Sequence, residues 1–300
     1  AGTHVPPMRR DSPMEFALST RWNAFRHTDG EAMIEEILRL SLDRVELGCD
    51  LRMDLVPGVL AAVRRKAVRV GSLHNFCPLP VGAPRPDPEL FLPASPDARE
   101  RESAVRHTRR TIEFAHEVGA QVVVLHAGRV KMSASSNELL RMYAEGDAGT
   151  EAYERLKMRL QEQRMARAQR HLDWLRSGLD QLVPVAQAAG VRLALENLPT
   201  WDGMPSEIEM EQLGAHYGGA VGYWHDVGHA YMREQMGFIN EQRWLERLHP
   251  YLLGMHIHDA APGGIDHLVP SHGHVDFASL ARFAAGEVHR VLEVSNQVSA

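Results

Sequence analysis

Five segments of this chain set a metal-capable side chain at or just beyond the end of a short apolar run. They are Val122-Val123-Val124-Leu125-His126, Leu193-Ala194-Leu195-Glu196-Asn197, Tyr223-Trp224-His225-Asp226 with His229 close behind, Leu252-Leu253-Gly254-Met255-His256, and Val291-Leu292-Glu293. Glu196, Asp226, His256 and Glu293 from this group offer three carboxylates and one imidazole to a shared divalent cation. Such a cation offsets the repulsion between carboxylates and keeps them ionised at neutral pH. An oxygen-rich set with one nitrogen suits Mn²⁺, Zn²⁺, Co²⁺ or Fe²⁺ better than Cu⁺ or an iron–sulfur cluster. A single strand-end Glu is explained as well by an ion pair or a helix N-cap. Four such residues on successive strands point to a common partner.

Other side chains gather around this set. Asp226-Val227-Gly228-His229 puts a second imidazole three residues beyond Asp226, so a tight turn brings both to one rim. His74, in Ser72-Leu73-His74-Asn75-Phe76, and His126, in Leu125-His126-Ala127-Gly128, end two apolar runs. With Glu196 bridging, these two could hold a second metal ion, although a lone His there more often contacts core or substrate. His258 shares strand parity with His256 and points to the same side. It is expected either to touch a substrate or to be a buried, hydrogen-bonded His. Asp259 is expected to orient His256 or a loop, as carboxylates behind metal ligands commonly do. Eight of the 17 histidines lie between His225 and His274, and His249, His272 and His274 among them read as surface or loop residues.

Strands ending in polar ligands are how a parallel barrel builds a site, because their C-terminal tips converge on one mouth. Strand-like segments fall near 15–20, 44–47, 68–74, 121–126, 191–196, 220–225, 252–257 and 290–294, separated by longer amphipathic stretches. Alternation of this kind predicts βα units. Gly30–Leu40 and Asp97–Val118 read as helices, the second stopped by Gly119. A third runs from about Ala168 to Ala189, with Leu172, Leu175, Leu179 and Leu182 as its stripe, Gly190 as its stop and Pro184 as a candidate kink. The prediction is a single (β/α)8 barrel over residues 14–300, preceded by an N-terminal extension of residues 1–13. Two long connections follow strands three and four. Pro78 to Pro96 carries seven prolines in 19 residues and reads as a semi-rigid loop. Lys131 to Arg167 is highly charged and reads as a solvated helical extension or a lid. Only a few residues follow strand eight, so either the sequence stops short of the eighth helix or the barrel lacks it.

Three hundred residues with 44% hydrophobic content suffice for a large core. No apolar run reaches the length of a membrane span, and the first residues lack the apolar stretch of a signal peptide. Cys49 and Cys77 provide no disulfide framework and suit a reducing, cytoplasmic setting. A formal charge of −6 offers no general attraction for nucleic acid. Arg64-Arg65-Lys66 and Arg109-Arg110 fall on predicted helices and read as solvated faces. The Ala261-Pro262-Gly263-Gly264 loop is a weak candidate for phosphate binding. Self-association is common among barrel enzymes, but no surface in the sequence requires it.

The order Glu-Leu-Gly, Leu-His-Asn, Leu-His-Ala-Gly, Leu-Glu-Asn-Leu, Asp-Val-Gly-His, His-Ile-His-Asp, Asp-His-Leu, His-Gly-His-Val-Asp-Phe and Leu-Glu-Val resembles the xylose isomerase-like barrel superfamily. That grouping includes sugar phosphate isomerases and epimerases and the endonuclease IV-like enzymes. The resemblance extends over roughly residues 14–296. It implies a TIM barrel with Glu196, Asp226, His256 and Glu293 as ligands of the main divalent metal, the two glutamates serving also as the proton-transfer pair. The endonuclease branch implies more metals: His74, His126 and Glu196 at one site, and His229 with an Asp-any-His element at a third. Here that element reads Ile265-Asp266-His267, so Ile265 stands where the Asp is expected, which puts the third site in doubt. Ala127 also stands where that branch usually has Pro.

Two chemistries follow. In the favoured one, a sugar or sugar derivative is isomerised or epimerised by proton abstraction next to a carbonyl, through a metal-stabilised enediolate. Glu196 and Glu293 would exchange the proton and His229 would hold a substrate hydroxyl. A lyase acting by the same abstraction is a close neighbour. In the alternative, two or three zinc ions would cleave a phosphodiester at abasic DNA.

Overall fold

Residues 15–299 are described by a computed structural model, and the extension assigned to residues 1–13 lies outside them. Each of the eight apolar runs forms a strand: β1 (Ala17–Ser19), β2 (Arg44–Leu47), β3 (Arg69–His74), β4 (Val122–Leu125), β5 (Arg192–Glu196), β6 (Val221–Asp226), β7 (Leu252–Ile257) and β8 (His289–Leu292). Neighbours in sequence pair in parallel, and the ring closes where Ala17 of β1 meets Val291 of β8. Between the strands run α1 (Gly30–Leu38), α2 (Val56–Arg64), α3 (Ala98–Val118), α4 (Ser136–Ala144), α5 (Glu151–Ala188), α6 (Glu207–Tyr217), α7 (Val227–Gln235), α8 (Glu241–Leu248) and α9 (Phe277–Leu280). This is a single (β/α)8 barrel.

Strand alternation divides the side chains between two cores. Ala17, Val122, Val124, Ala194, Trp224, Leu253 and Val291 pack together inside the ring. Their neighbours, among them Leu193, Leu195, Val221 and Tyr223, pack outward against Ile34, Ile112, Leu172 and Leu179 of the helices. Gly254 makes the inner packing fit: a Cβ there would lie 2.2 Å from the Trp224 ring. That indole fills the ring directly below His256, with ring centroids 5.2 Å apart.

Helix ends follow the local chemistry. Asp97 caps α3 by accepting the Arg99 amide at 2.9 Å, and Gly119 ends it with φ of 76°. Helix α5 departs from expectation at its start, Glu151, well before the leucine stripe that marks its later half. Its first turns do not face the ring. Tyr153 and Leu160 pack instead on Leu139 and Leu140 of α4 and on Met232 and Met236 at the end of α7. The charged 131–167 segment is therefore α4 plus the head of α5, layered over α7. Pro184 lies inside α5, which continues to Ala188. The Pro-rich segment after β3 contains no helix or strand. No helix follows β8 among the described residues; Trp22 Nε1 donates to the Val298 carbonyl at 2.8 Å and ties this segment to the turn after β1. No helix is long and apolar enough to cross a membrane.

Candidate active site and metal centre

All the strand tips point to one end of the ring, and their inward parity brings the expected ligands together. His256 Nδ1 lies 3.4 Å from Glu196 Oε2, 3.4 Å from Glu293 Oε2 and 3.8 Å from Asp226 Oδ2. Two ligands each about 2.1 Å from one ion stand roughly 3–3.4 Å apart, so this spacing is close to that of a coordination shell.

Hydrogen bonding decides what His256 can do. Its Nε2 lies 3.0 and 3.2 Å from the two oxygens of Glu46, which accept but cannot donate, so Nε2 carries the proton. Nδ1 faces three carboxylates. Neither Nδ1 nor Glu196 Oε1 has a hydrogen-bond partner, although both are buried. Burial opposes a charged imidazole, but Glu293, Glu46 and Glu196 outweigh it and push His256 well above the usual histidine range. The site demands positive charge at this point. A divalent cation satisfies that demand, and the donor set fits one.

The carboxylates respond to the same field. Burial alone would raise Glu196, yet His126 and His256 hold it well below the usual carboxylate range. Glu293 is lowered to about 2, because its cationic neighbours, His256 first among them, more than reverse the effect of burial. Asp226 is likewise lowered, with His229 and His258 outweighing its burial.

The optional ligands fall nearby. His74 Nε2 and His126 Nε2 approach the same oxygen, Glu196 Oε2, at 3.1 and 3.3 Å. His229 Nδ1 lies 2.8 Å from the Asn197 carbonyl, which takes the Nδ1 proton and leaves Nε2 open. His267 Nδ1 is held in the same way by the Glu293 carbonyl at 2.9 Å. Burial, the largest cause, pushes the His267 imidazole down to about 4, toward the neutral form that can ligate a metal. His229, Asp266 and His267 offer ligand atoms within 4.8 Å of one another. Asp266 thus comes near the place that Ile265, half-exposed, leaves without a carboxylate.

At two positions the structure selects between the alternatives. His258 is fully buried: its Nε2 lies 2.9 Å from Asp226 Oδ1, and its Nδ1 accepts the His267 amide at 2.9 Å. Both nitrogens are engaged, so His258 positions Asp226 and has none left for a substrate. Gly228 makes room for it, since a Cβ there would lie 2.1 Å from the imidazole. Asp259 does not touch His256. Its carboxylate accepts the amides of Ala260, Ser271, Gly273 and Val275 at 2.9–3.0 Å, which folds the following loop around it. His272 and His274 on that loop are exposed, as is His249. Ala261-Pro262-Gly263-Gly264 forms the turn between two short antiparallel strands and not a helix N-terminus.

Two positioning groups escape a reading of strand tips. Glu46 sits mid-strand on β2, where a charged residue in a buried position is the only signal; Ser72 Oγ donates to its Oε2 at 2.8 Å. Glu89, in the Pro-rich segment, stands 3.4 Å from His126 Nδ1 and is gripped by Arg129 Nη2 and Nε at 2.6 and 2.8 Å. Beside the ligands opens a cavity of about 310 Å³ lined by Arg21, Asp50, His74, Pro86, Pro88 and Glu293. A larger groove of about 570 Å³ lies away from the strand tips, between α3 and α5, bordered by Arg109 and Arg110.

A family model for the xylose isomerase-like TIM barrel matches residues 34–287, and the chain belongs to that family. No curated protein sequence matches it. Among solved structures, a D-tagatose 3-epimerase-like protein is 21% identical, with a TM-score of 0.63 over 95% of this chain and 92% of that one. The 3-keto-D-glucoside 4-epimerase of E. coli is 15% identical, with a TM-score of 0.65 over 96% and 94%. A D-allulose 3-epimerase from Methylomonas sp., in complex with D-allulose, is 12% identical, with a TM-score of 0.61 over 95% and 86%. At these identities the likeness concerns the barrel itself.

Proposed function

We propose that this chain is a divalent-metal-dependent isomerase or epimerase acting on a sugar or sugar derivative. The observation that carries the reading is His256 Nδ1, a buried nitrogen without a hydrogen-bond partner that faces Glu196, Asp226 and Glu293 while its other nitrogen is fixed by Glu46. The named activities of the structural neighbours, which are sugar epimerases, agree with it. When bound, the cation supplies the positive charge that acidifies a C–H beside a carbonyl. Glu196 and Glu293 are both ionised and both border the same point, so one removes the proton and the other returns it. His229, with Nε2 open, holds a substrate hydroxyl. Burial of the whole group excludes bulk water and keeps the proton between the two carboxylates.

A second reading, a multi-zinc phosphodiesterase, gains one specific support: Asp266 completes a ligand trio with His229 and His267. Metal analysis separates the two. About one ion per chain is expected for the isomerase, whereas two or three zinc ions with cleavage of abasic DNA would favour the phosphodiesterase. Solvent deuterium should wash into a ketose substrate, and Glu196→Gln or Glu293→Gln should slow this by about 10²–10⁴-fold. Exchange at the wild-type rate in either variant would overturn the acid–base assignment.

A further inference from the structure

The cavity beside the ligands contains a charge that the proton-transfer chemistry does not use. Arg21 follows β1, lies in the short turn Thr20–Trp22 and lines the 310 Å³ space together with His74 and Glu293. A guanidinium stays charged at any accessible pH and presents a planar fork of donors matched to a carboxylate or phosphate. Glu293, Asp266 and Asp50 are near enough for their charges to act on Arg21. Yet its side chain makes no ion pair or hydrogen bond with any described residue. An arginine that served only to balance the acidic ligands would close on one of them. This one leaves its fork open to the cavity.

Asp50 is the second unsatisfied group there. Its Oδ1 is buried and has no partner. Gly48 makes this placement possible, because a Cβ at that position would lie 2.6 Å from Asp50 Oδ1. Thr20 holds the same turn by accepting the Gly48 amide at 2.8 Å. The cavity therefore presents one fork of donors and one bare acceptor. Its volume is at the lower end of the roughly 300–1,000 Å³ typical of small-molecule sites.

We infer that Arg21 receives the anionic end group, a carboxylate or a phosphate, of a sugar derivative whose reacting carbons lie at Glu196 and Glu293, while Asp50 accepts one of its hydroxyls. The inference rests on the isomerase reading and narrows its substrate class from sugars in general to sugar acids or phosphosugars.

The test uses three probes that lack a carbonyl and so cannot react: D-arabinitol, D-arabinonate and D-arabinitol 5-phosphate. Each is titrated calorimetrically into the full chain with saturating Mn²⁺. At least one anionic probe should bind about tenfold or more tightly than arabinitol, as charge-assisted bidentate contacts allow. In Arg21→Gln that preference should fall to within about twofold, with Arg21→Lys in between because it keeps the charge without the fork. A preference for arabinonate assigns a sugar acid, and one for the phosphate assigns a phosphosugar. If Arg21→Gln does not fold, the drop in Arg21→Lys carries the test. Equal binding of all three probes would overturn the inference. So would a preference that survives undiminished in the folded variants, since the cation itself can bind an anion. Deuterium wash-in tests the chemistry separately: anion preference without exchange on any sugar overturns the isomerase reading alone, and exchange without the preference overturns the inference alone.

Discussion

The two walls of the barrel mouth are built on opposite plans. Along β5 to β8, Glu196, Asp226, His256 and Glu293 are buried and their satisfied atoms are bonded to other parts of the protein. Asn197 fixes the Asp226 backbone through an amide contact of 2.7 Å and a carbonyl contact of 2.9 Å, and His258 fixes its carboxylate. In the turns beyond β1 and β2, Arg21 and Asp50 stand around open space with few partners, beside Pro86 and Pro88. The crowded wall holds its ligands through buried hydrogen bonds, as an ion site requires. The open wall leaves donors and acceptors unpaired, as recognition of a molecule requires. One wall is organised for chemistry and the other for selection.

Breaking a support of the crowded wall should cost most. Glu46→Ala frees the His256 imidazole, and metal affinity measured by competition with a chelator should fall about 10–100-fold, the usual cost of losing a partner behind a metal ligand. Unchanged affinity would mean that packing against Trp224 alone orients the ring. Gly228→Ala tests the same wall through sterics. The added methyl would overlap His258, so thermal unfolding should report a loss of roughly 1–3 kcal/mol, as for overpacked cores. A loss near zero would show that His258 has room to move.

The smallest effect is expected at Asp259, behind the rim. Burial works against its charge, but the amides of Val275, Gly273, Ala260 and Ser271 lower its pKa below the ordinary aspartate value. A lowered folded-state pKa stabilises above the unfolded value of about 3.9, and the gain disappears as pH falls through the folded value. Asp259→Asn would turn an NH₂ toward one pair of these amides. Wild type should therefore exceed the variant by about 1 kcal/mol near neutrality, and the gap should close in acid denaturation series below about pH 4. A gap that is constant with pH would show that shape, not charge, holds the loop.

Much of the crowded wall was legible because each of its ligands ends an apolar run, and alternation in a buried strand fixes which face each side chain takes. Glu46 was not legible as a partner of His256. The two are 210 positions apart, and nothing in Arg-Val-Glu-Leu states which neighbour its carboxylate meets. The start of α5 was missed for a related reason: its first turns pack on α4 and α7, so the ring-facing stripe that marks the later half is absent there. For His258 the face was legible and the partner was not, because parity gives direction and not contact.

Local pattern thus determined the barrel, the order of its strands, and Glu196, Asp226, His256 and Glu293 as a set at one mouth, since apolar periodicity is a property of neighbouring residues. Closure of the ring decided the rest. It put Glu46 against His256, and Glu293 beside the space that Arg21 and Asp50 share. Those relations depend on distances across the barrel, which arise only when β1 meets β8 and remote segments share one volume.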